Sequence, residues 1–339
     1  MLKHHDLTLR RISQFIKHEL KERILGETSS LTLEFCGEPH HDQKGAANGR
    51  WETVEEGHRY GPAYRTVWFR LKGRVPQEFA GKEIGLVAEV GAERTVWRDN
   101  SPWRGMDEPH DVMPFSLAPS QATAFMPACK GGEKVEVYIQ AYTGNPQCRV
   151  HLKELPREEL VSTVAKTHLV VIDRDLSDLA YDCEFCENLL GALVDTDPAY
   201  ATILRALNEV CNVYAHDGRE GIGRCRKLIR DALGTLNAEP KHGIVPVGHA
   251  HLDTAWLWPL DITMKKMAHT TATQLQLLEQ YPEYVFAHSQ ASQYEWLEKQ
   301  YPKLFERVKE AIANERDHLI EVAETIRTNP ELGYEERMA

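Results

Sequence analysis

The spacing of apolar positions changes along the chain, and each change marks a new kind of element. Over residues 7–25, Leu9, Ile12, Ile16 and Leu20 recur at three- and four-residue intervals and Gly26 follows, which predicts a helix and its stop. The period then drops to two. Leu31, Leu33 and Phe35 alternate with polar residues, as do Val67, Phe69 and Leu71. Ile84, Leu86, Ala88 and Val90 repeat the pattern, followed by Val135, Val137, Ile139 and Ala141. Such runs, separated by Gly, Pro, Asn and Asp clusters, predict an antiparallel β-sandwich over residues 28–160. Helical spacing returns at Ile203, Leu207, Val210 and Tyr214, behind Asp197-Pro198 as N-cap and first helical residue. Cys225, Leu228, Ile229, Ala232 and Leu233 mark another helix, closed by Gly234.

From Gly243 the pattern is that of an α/β unit. Gly243-Ile244-Val245-Pro246-Val247-Gly248 is a short apolar run of the buried parallel-strand kind, with Pro246 placing it near a strand end. Residues 262–281 read as a helix, 284–286 as a short strand and 294–313 as a further helix. The expected fold class is therefore multidomain α+β. Its order is an N-terminal helix (1–27), an antiparallel β-sandwich (28–160), a helical linker (161–240), the start of an α/β domain (241–313), which the resemblance described below makes the truncated start of a catalytic domain, and an atypical tail (314–339).

Composition narrows the function classes. A chain of 339 residues suggests roughly two to three domains. A net charge of −11 argues against a nucleic-acid surface, which needs clustered Lys and Arg. No apolar run approaches the roughly 18–20 residues of a membrane helix, and Met1-Leu2-Lys3-His4-His5-Asp6 starts no signal peptide. Seven cysteines, spread thinly, point to reduced thiols and a cytoplasmic location.

The chemistry sits where the first α/β strand ends. Ligands gather at the carboxyl ends of strands in open α/β sheets, and His249-Ala250-His251-Leu252-Asp253-Thr254-Ala255-Trp256 occupies that place. If strand geometry persists, His249, His251 and Asp253 project to one side. Imidazole nitrogen and carboxylate oxygen suit zinc or a similar divalent metal. Trp256 and Trp258, just beyond, offer a flat platform for the apolar face of a sugar ring.

With these residues the chain resembles glycoside hydrolase family 38, the α-mannosidases. The match is Gly248-His249-Ala250-His251-Leu252-Asp253-Thr254-Ala255-Trp256-Leu257-Trp258-Pro259. Tyr281-Pro282-Glu283-Tyr284, Ser289-Gln290-Ala291, Tyr294-Glu295-Trp296 and Tyr301-Pro302 support it. Upstream, Val67-Trp68-Phe69-Arg70 and Val96-Trp97-Arg98-Asp99 are similar to the β-sandwich that precedes the catalytic domain in the cytosolic-type branch. The resemblance implies that His251 and Asp253 are metal ligands, that His249 supports them and that Trp256 lines the mannose pocket. It further implies a divalent metal, zinc foremost and cobalt as the alternative, and a substrate of mannose-containing oligosaccharide. A carboxylate nucleophile and an acid/base carboxylate would perform retaining hydrolysis.

Two departures stand out. Asp261-Ile262 occupies the place of an Arg-Glu pair typical of the family. Beyond Ala313, where the family continues toward a nucleophilic Asp and a fourth ligand His, Asn314-Glu315-Arg316-Asp317-His318 intervenes. The segment from Ala323 to Glu336 instead is similar to the opening of M20-type metallopeptidases and amidohydrolases, with Asn329-Pro330-Glu331-Leu332-Gly333-Tyr334-Glu335-Glu336 carrying the likeness. No catalytic carboxylate is assigned, the metal is expected to be weakly held, and weak or absent hydrolysis follows. A junction of two reading frames near residue 314 would account for the tail.

Two other functions stay open. A metal-dependent amidohydrolase would use His249 and His251 at the end of a first barrel strand. A non-catalytic carbohydrate-binding remnant would use the sandwich or Trp256. Assembly as a homo-oligomer is a further option. Lesser features read as structural: Cys183-Glu184-Phe185-Cys186 has no second CxxC, and Gly218-Arg219-Glu220-Gly221-Ile222-Gly223 follows no strand. His4-His5 and His40-His41 read as exposed loop residues, and Asp99 and Asp107 as solvated loop carboxylates.

Overall fold

The computed structural model describes residues 4–62, 64–106, 122–143, 161–236, 246–255 and 258–313. Trp256, Asp107 and the tail beyond 313 lie outside the described residues, as do residues 243–245 of the apolar run. The mixed α+β architecture expected from the periodicity is present. No described helix is long and apolar enough to cross a membrane.

Two antiparallel sheets form the centre. The larger has six strands: β3 (Glu52–Val54), β2 (Thr32–Cys36), β5 (Arg65–Arg74), β10 (Lys134–Thr143), β7 (Glu93–Arg98) and β8 (Ser101–Met106), in that spatial order. The smaller has four: β1 (Leu25–Ser30), β12 (Lys166–Ile172), β6 (Glu83–Glu89) and β9 (Ala122–Met126), while β4 (Arg59–Tyr60) and β11 (Ser162–Thr163) pair separately. Alternation along each strand decides which layer a side chain enters. On β5, Val67, Phe69 and Leu71 face the inter-sheet core with Val135, Val137, Ile139, Ile84, Leu86 and Leu169. The residue between them, Trp68, faces the opposite way and is wholly buried there with Trp97 and Tyr138.

The sheet runs past the expected limit at residue 160. β12 pairs with β1 on one side and β6 on the other, so it is a central strand within the stretch read as helical linker. Its Lys-Thr-His-Leu-Val-Val-Ile sequence shows no clean alternation. β1 also begins at Leu25, which puts Gly26 inside a strand instead of at a helix stop. The tight turn between β7 and β8 places Asp99 and Asn100 at φ 53° and 55°, the left-handed pair that a two-residue hairpin needs.

The N-terminal helix is part of a bundle. α1 (His5–Gln14) continues through a wide turn at Phe15–Leu20 and a tight one at Lys21–Arg23. Its Ile12, Ile16, Leu20 and Ile24 pack with Leu179, Leu190, Ile203, Leu207 and Ile229. Those residues come from α3 (Arg174–Ala192), α4 (Pro198–Asp217) and α5 (Ile222–Gly234). Cys183, Cys186, Cys211 and Cys225 are buried in the same core, and burial pushes each thiol pKa up, so these are inert apolar side chains. His5 is not the exposed loop residue expected: it opens α1, and its Nε2 lies 2.8 Å from the Tyr200 hydroxyl.

Asp197 caps α4, accepting a hydrogen bond from the Ala199 N–H at 2.8 Å, with Pro198 as the first helical residue. Replacing Asp197 by alanine is expected to lower the unfolding free energy by about 1 kcal/mol. Urea denaturation checks this, and an unchanged midpoint would show that the cap contributes nothing.

The last layer is the α/β segment. β13 (Gly248–His249) pairs in parallel with β14 (Phe286–Ala287). α6 (Leu260–Gln280), α7 (Ala291–Gln300) and α8 (Pro302–Ala313) cover the outer face of the six-stranded sheet. The single helix expected over 294–313 is two, because Pro302 cannot continue α7 and instead starts α8. Close approach of α6 to the sheet depends on Gly105, where a β-carbon would lie 2.3 Å from the His269 ring. The Gly105 N–H donates to Thr273 Oγ1 at 3.0 Å, which stitches β8 to α6.

Candidate metal and sugar site

Beyond His249 the chain leaves the β13–β14 pair as a loop, and its side chains still alternate. His249 and His251 are exposed and Leu252 is buried between them and Asp253. The Nε2 atom of His251 lies 3.1 Å from Asp253 Oδ1. Their side chains are 72% and 42% exposed, so both donor atoms are open to a ligand.

The loop is held from behind by residues that carried no motif signal. Gln293 Nε2 donates to the Leu252 carbonyl at 3.3 Å and to Thr254 Oγ1 at 3.4 Å. Its Oε1 pairs with His288 Nε2 at 2.9 Å. Both Gln293 and His288 are buried. Thr263, wholly buried on α6, accepts from the Ala255 N–H at 3.1 Å and from Trp258 Nε1 at 3.0 Å. Ala255 takes φ 64°, a left-handed conformation that a residue with a β-carbon adopts only when surroundings enforce it. The bond to Thr263 supplies that constraint.

His288 sits at the end of β14 with Nδ1 unpartnered among the described residues. Burial pushes its pKa below the ordinary 6.5, the Gln293 hydrogen bond opposes this, and nearby His249 adds to it. Above pH 6.5 the ring is neutral in both folded and unfolded chains. As pH falls below that value the unfolded chain takes up a proton that the folded one resists, so stability is lost on the acid side. His288→Phe is expected to flatten this part of the stability–pH curve. An identical slope in the wild type and the variant would rule His288 out as its source.

Asp261 and Ile262 differ in kind. Ile262 is buried, whereas Asp261 is exposed and 3.8 Å from Lys265. Burial lowers the Lys265 pKa, opposed by Asp261, and its Nζ donates to Thr66 Oγ1 at 2.7 Å. These residues line one side of a cleft of about 500 Å³ between α6 and the sandwich, with Gly37, Pro39, Tyr64 and Arg65 on the other. Asp99 is a turn residue whose carbonyl accepts from Lys303.

An imidazole nitrogen and a carboxylate oxygen 3.1 Å apart form a donor pair that a zinc-like ion takes. A four-coordinate shell needs two further donors. Among the described residues no third His, Cys, Asp or Glu joins this pair. The pair therefore fits half of a metal site.

Residues 241–323 match the model of the glycosyl hydrolases family 38 N-terminal domain, and residues 31–160 match the α-mannosidase jelly roll domain. The chain is 28% identical over 324 residues to alpha-mannosidase 2C1 of Mus musculus, covering 91% of this chain and 30% of that protein. The human protein of the same name gives 28% over 325 residues, with 91% and 30% covered. Alpha-mannosidase of Saccharomyces cerevisiae gives 24% over 293 residues, with 79% and 25% covered. The chain is a homologue of the family 38 α-mannosidases. It spans about 30% of the length of the 2C1 relatives. The jelly roll match spans β2 to β10, and the loop after β13 lies within the match to the family 38 N-terminal domain.

Proposed function

We propose that the chain serves a metal-dependent α-mannosidase of the cytoplasm, which removes terminal α-mannose from oligosaccharides, and that it supplies one side of the catalytic site. The observation that carries this reading is the His251–Asp253 pair, convergent and open at the carboxyl end of a parallel strand, in a segment that matches the family 38 N-terminal domain. His251 and Asp253 would hold the divalent ion, zinc before cobalt, and the ion supplies Lewis-acid attraction for sugar hydroxyls. Leu252, anchored through its carbonyl by Gln293, fixes the backbone between the two donors. Trp256, two residues past the Thr254 anchor, is assigned as the sugar platform, and His249 as a neighbouring support.

Hydrolysis with retention needs two carboxyl groups flanking the scissile bond. In this reading His251 and Asp253 supply two of the roughly four ligands such an ion takes, and neither catalytic carboxyl group is assigned among the described residues. The 339-residue polypeptide by itself is therefore expected to bind metal weakly and to leave an aryl α-mannoside unhydrolysed. Release of the aryl alcohol with zinc or cobalt present is the measurement. Turnover well above buffer would overturn the assignment of half a site. No release, together with metal binding that depends on Asp253, is the expected result.

A further inference from the structure

A second group of metal-binding side chains lies on the sandwich, in the connection read from sequence as an exposed His-His loop. β2 ends at Cys36, which is wholly buried beside Trp68 on the outer face of the six-stranded sheet. The chain then turns back through Glu38 and His40 into α2 (Gln43–Ala47). Sγ of Cys36, one carboxylate oxygen of Glu38 and one ring nitrogen of His40 all lie within 4.8 Å of one another. Among the described residues this is the one such group. The His40 ring, half-buried, has Nε2 3.0 Å from Glu38 Oε2.

Gly49 lets two of these donors come together. A β-carbon there would lie 2.6 Å from His40 Nε2 and 2.8 Å from Cys36 Sγ. Only glycine leaves room for the imidazole and the sulfur to approach each other against this stretch of backbone. The backbone around the donors is fixed. Trp68 Nε1 donates to the His40 carbonyl at 2.9 Å, and Asp42 Oδ1 accepts from the Gly45 N–H at 2.7 Å. Burial raises the Cys36 pKa, but the N–H groups of Glu38 and Arg50 point at the sulfur and favour its anion.

We propose that Cys36, Glu38 and His40 bind a zinc-like divalent ion, with the fourth position open to water. The donor set of thiolate, imidazole and carboxylate selects zinc over magnesium, calcium or manganese. On binding, the thiol proton leaves to solvent, and one thiolate and one carboxylate balance the dipositive charge. The site has a structural consequence. Gly37 and Pro39, between the ligands, form a wall of the 500 Å³ cleft facing α6. His41, the next residue, stacks on Tyr301 at 5.5 Å between ring centres. An ion here would fasten that wall and its contact with the α/β segment.

The test uses the reduced, chelator-stripped 339-residue chain and cobalt(II) as probe. Ligation by Cys36 is expected to give a near-ultraviolet thiolate-to-cobalt absorption that saturates at one equivalent and is displaced by zinc. Cys36→Ser should remove it, and His40→Ala should weaken affinity at least about 100-fold, more than loss of an outer-shell partner costs. Cys186→Ser and the His251→Ala/Asp253→Ala double variant should keep it. Far-UV circular dichroism separates loss of the site from loss of the fold; if Cys36→Ser does not fold, His40→Ala decides. In the His251→Ala/Asp253→Ala background zinc should also raise the Tm, and adding His40→Ala should remove most of that rise. Absence of the thiolate band, its persistence in Cys36→Ser, its loss in Cys186→Ser, or unchanged affinity in His40→Ala overturns the proposal.

Discussion

Replacing Trp68 with alanine is expected to lower the unfolding free energy by about 3–5 kcal/mol, the range for deleting a large buried aromatic. Trp68 is fully buried and stands where three parts of the molecule meet. Its backbone belongs to β5, between β2 and β10, and its ring lies 5.4 Å from that of Trp97. Trp97 in turn meets Tyr301, at the junction of α7 and α8, at 6.0 Å. The indole N–H holds the His40 carbonyl, so truncation leaves that acceptor without its donor as well as opening a cavity. Chemical denaturation monitored by circular dichroism measures the loss. A change below about 1 kcal/mol, the size of a surface substitution rather than a core one, would mean that the α/β segment does not depend on this face of the sandwich.

What could be read from the sequence follows from which interactions are local. The strands β2, β5, β6 and β10 announced themselves because one face of each packs into the inter-sheet core and alternation records that directly. β12 did not, since it lies in the centre of its sheet with Thr167, Leu169 and Val170 all buried. The placement of α1 was also out of reach: its periodic face was plain, but its partners come from residues about 170 to 220 positions later. Pro302 is explicit in the sequence, but the apolar spacing runs through it on both sides and masks the break.

The candidate site divides in the same way. His249, His251 and Asp253 carry their meaning in consecutive spacing, so the loop was visible. Thr263, His288 and Gln293 matter only because the fold brings them behind that loop, and nothing in their residue types marks them. His40 and His41 read as an exposed loop because the convergence of Cys36, Glu38 and His40 depends on a turn at the end of β2 and on Gly49, which returns from the far side of α2.

The second large effect concerns Asp253. Its carboxylate is the anionic member of the pair with His251 and is partly open to solvent. Removing one of two protein ligands from a weak site is expected to cost at least about 100-fold in affinity, since loss of a mere outer-shell partner costs 10–100-fold. In this reading His249 is a neighbouring support, exposed beside the loop, and is expected to contribute little. That difference separates the α-mannosidase reading, in which His251 and Asp253 ligate, from the amidohydrolase reading, in which His249 and His251 do.

The most direct measurement is therefore a zinc titration by calorimetry of the 339-residue chain carrying Cys36→Ser, so that the sandwich offers no thiolate, alongside the same chain with Asp253→Ala or His249→Ala added. The account predicts weak binding that Asp253→Ala abolishes and His249→Ala leaves nearly intact. Binding that survives Asp253→Ala but is lost with His249→Ala would contradict it.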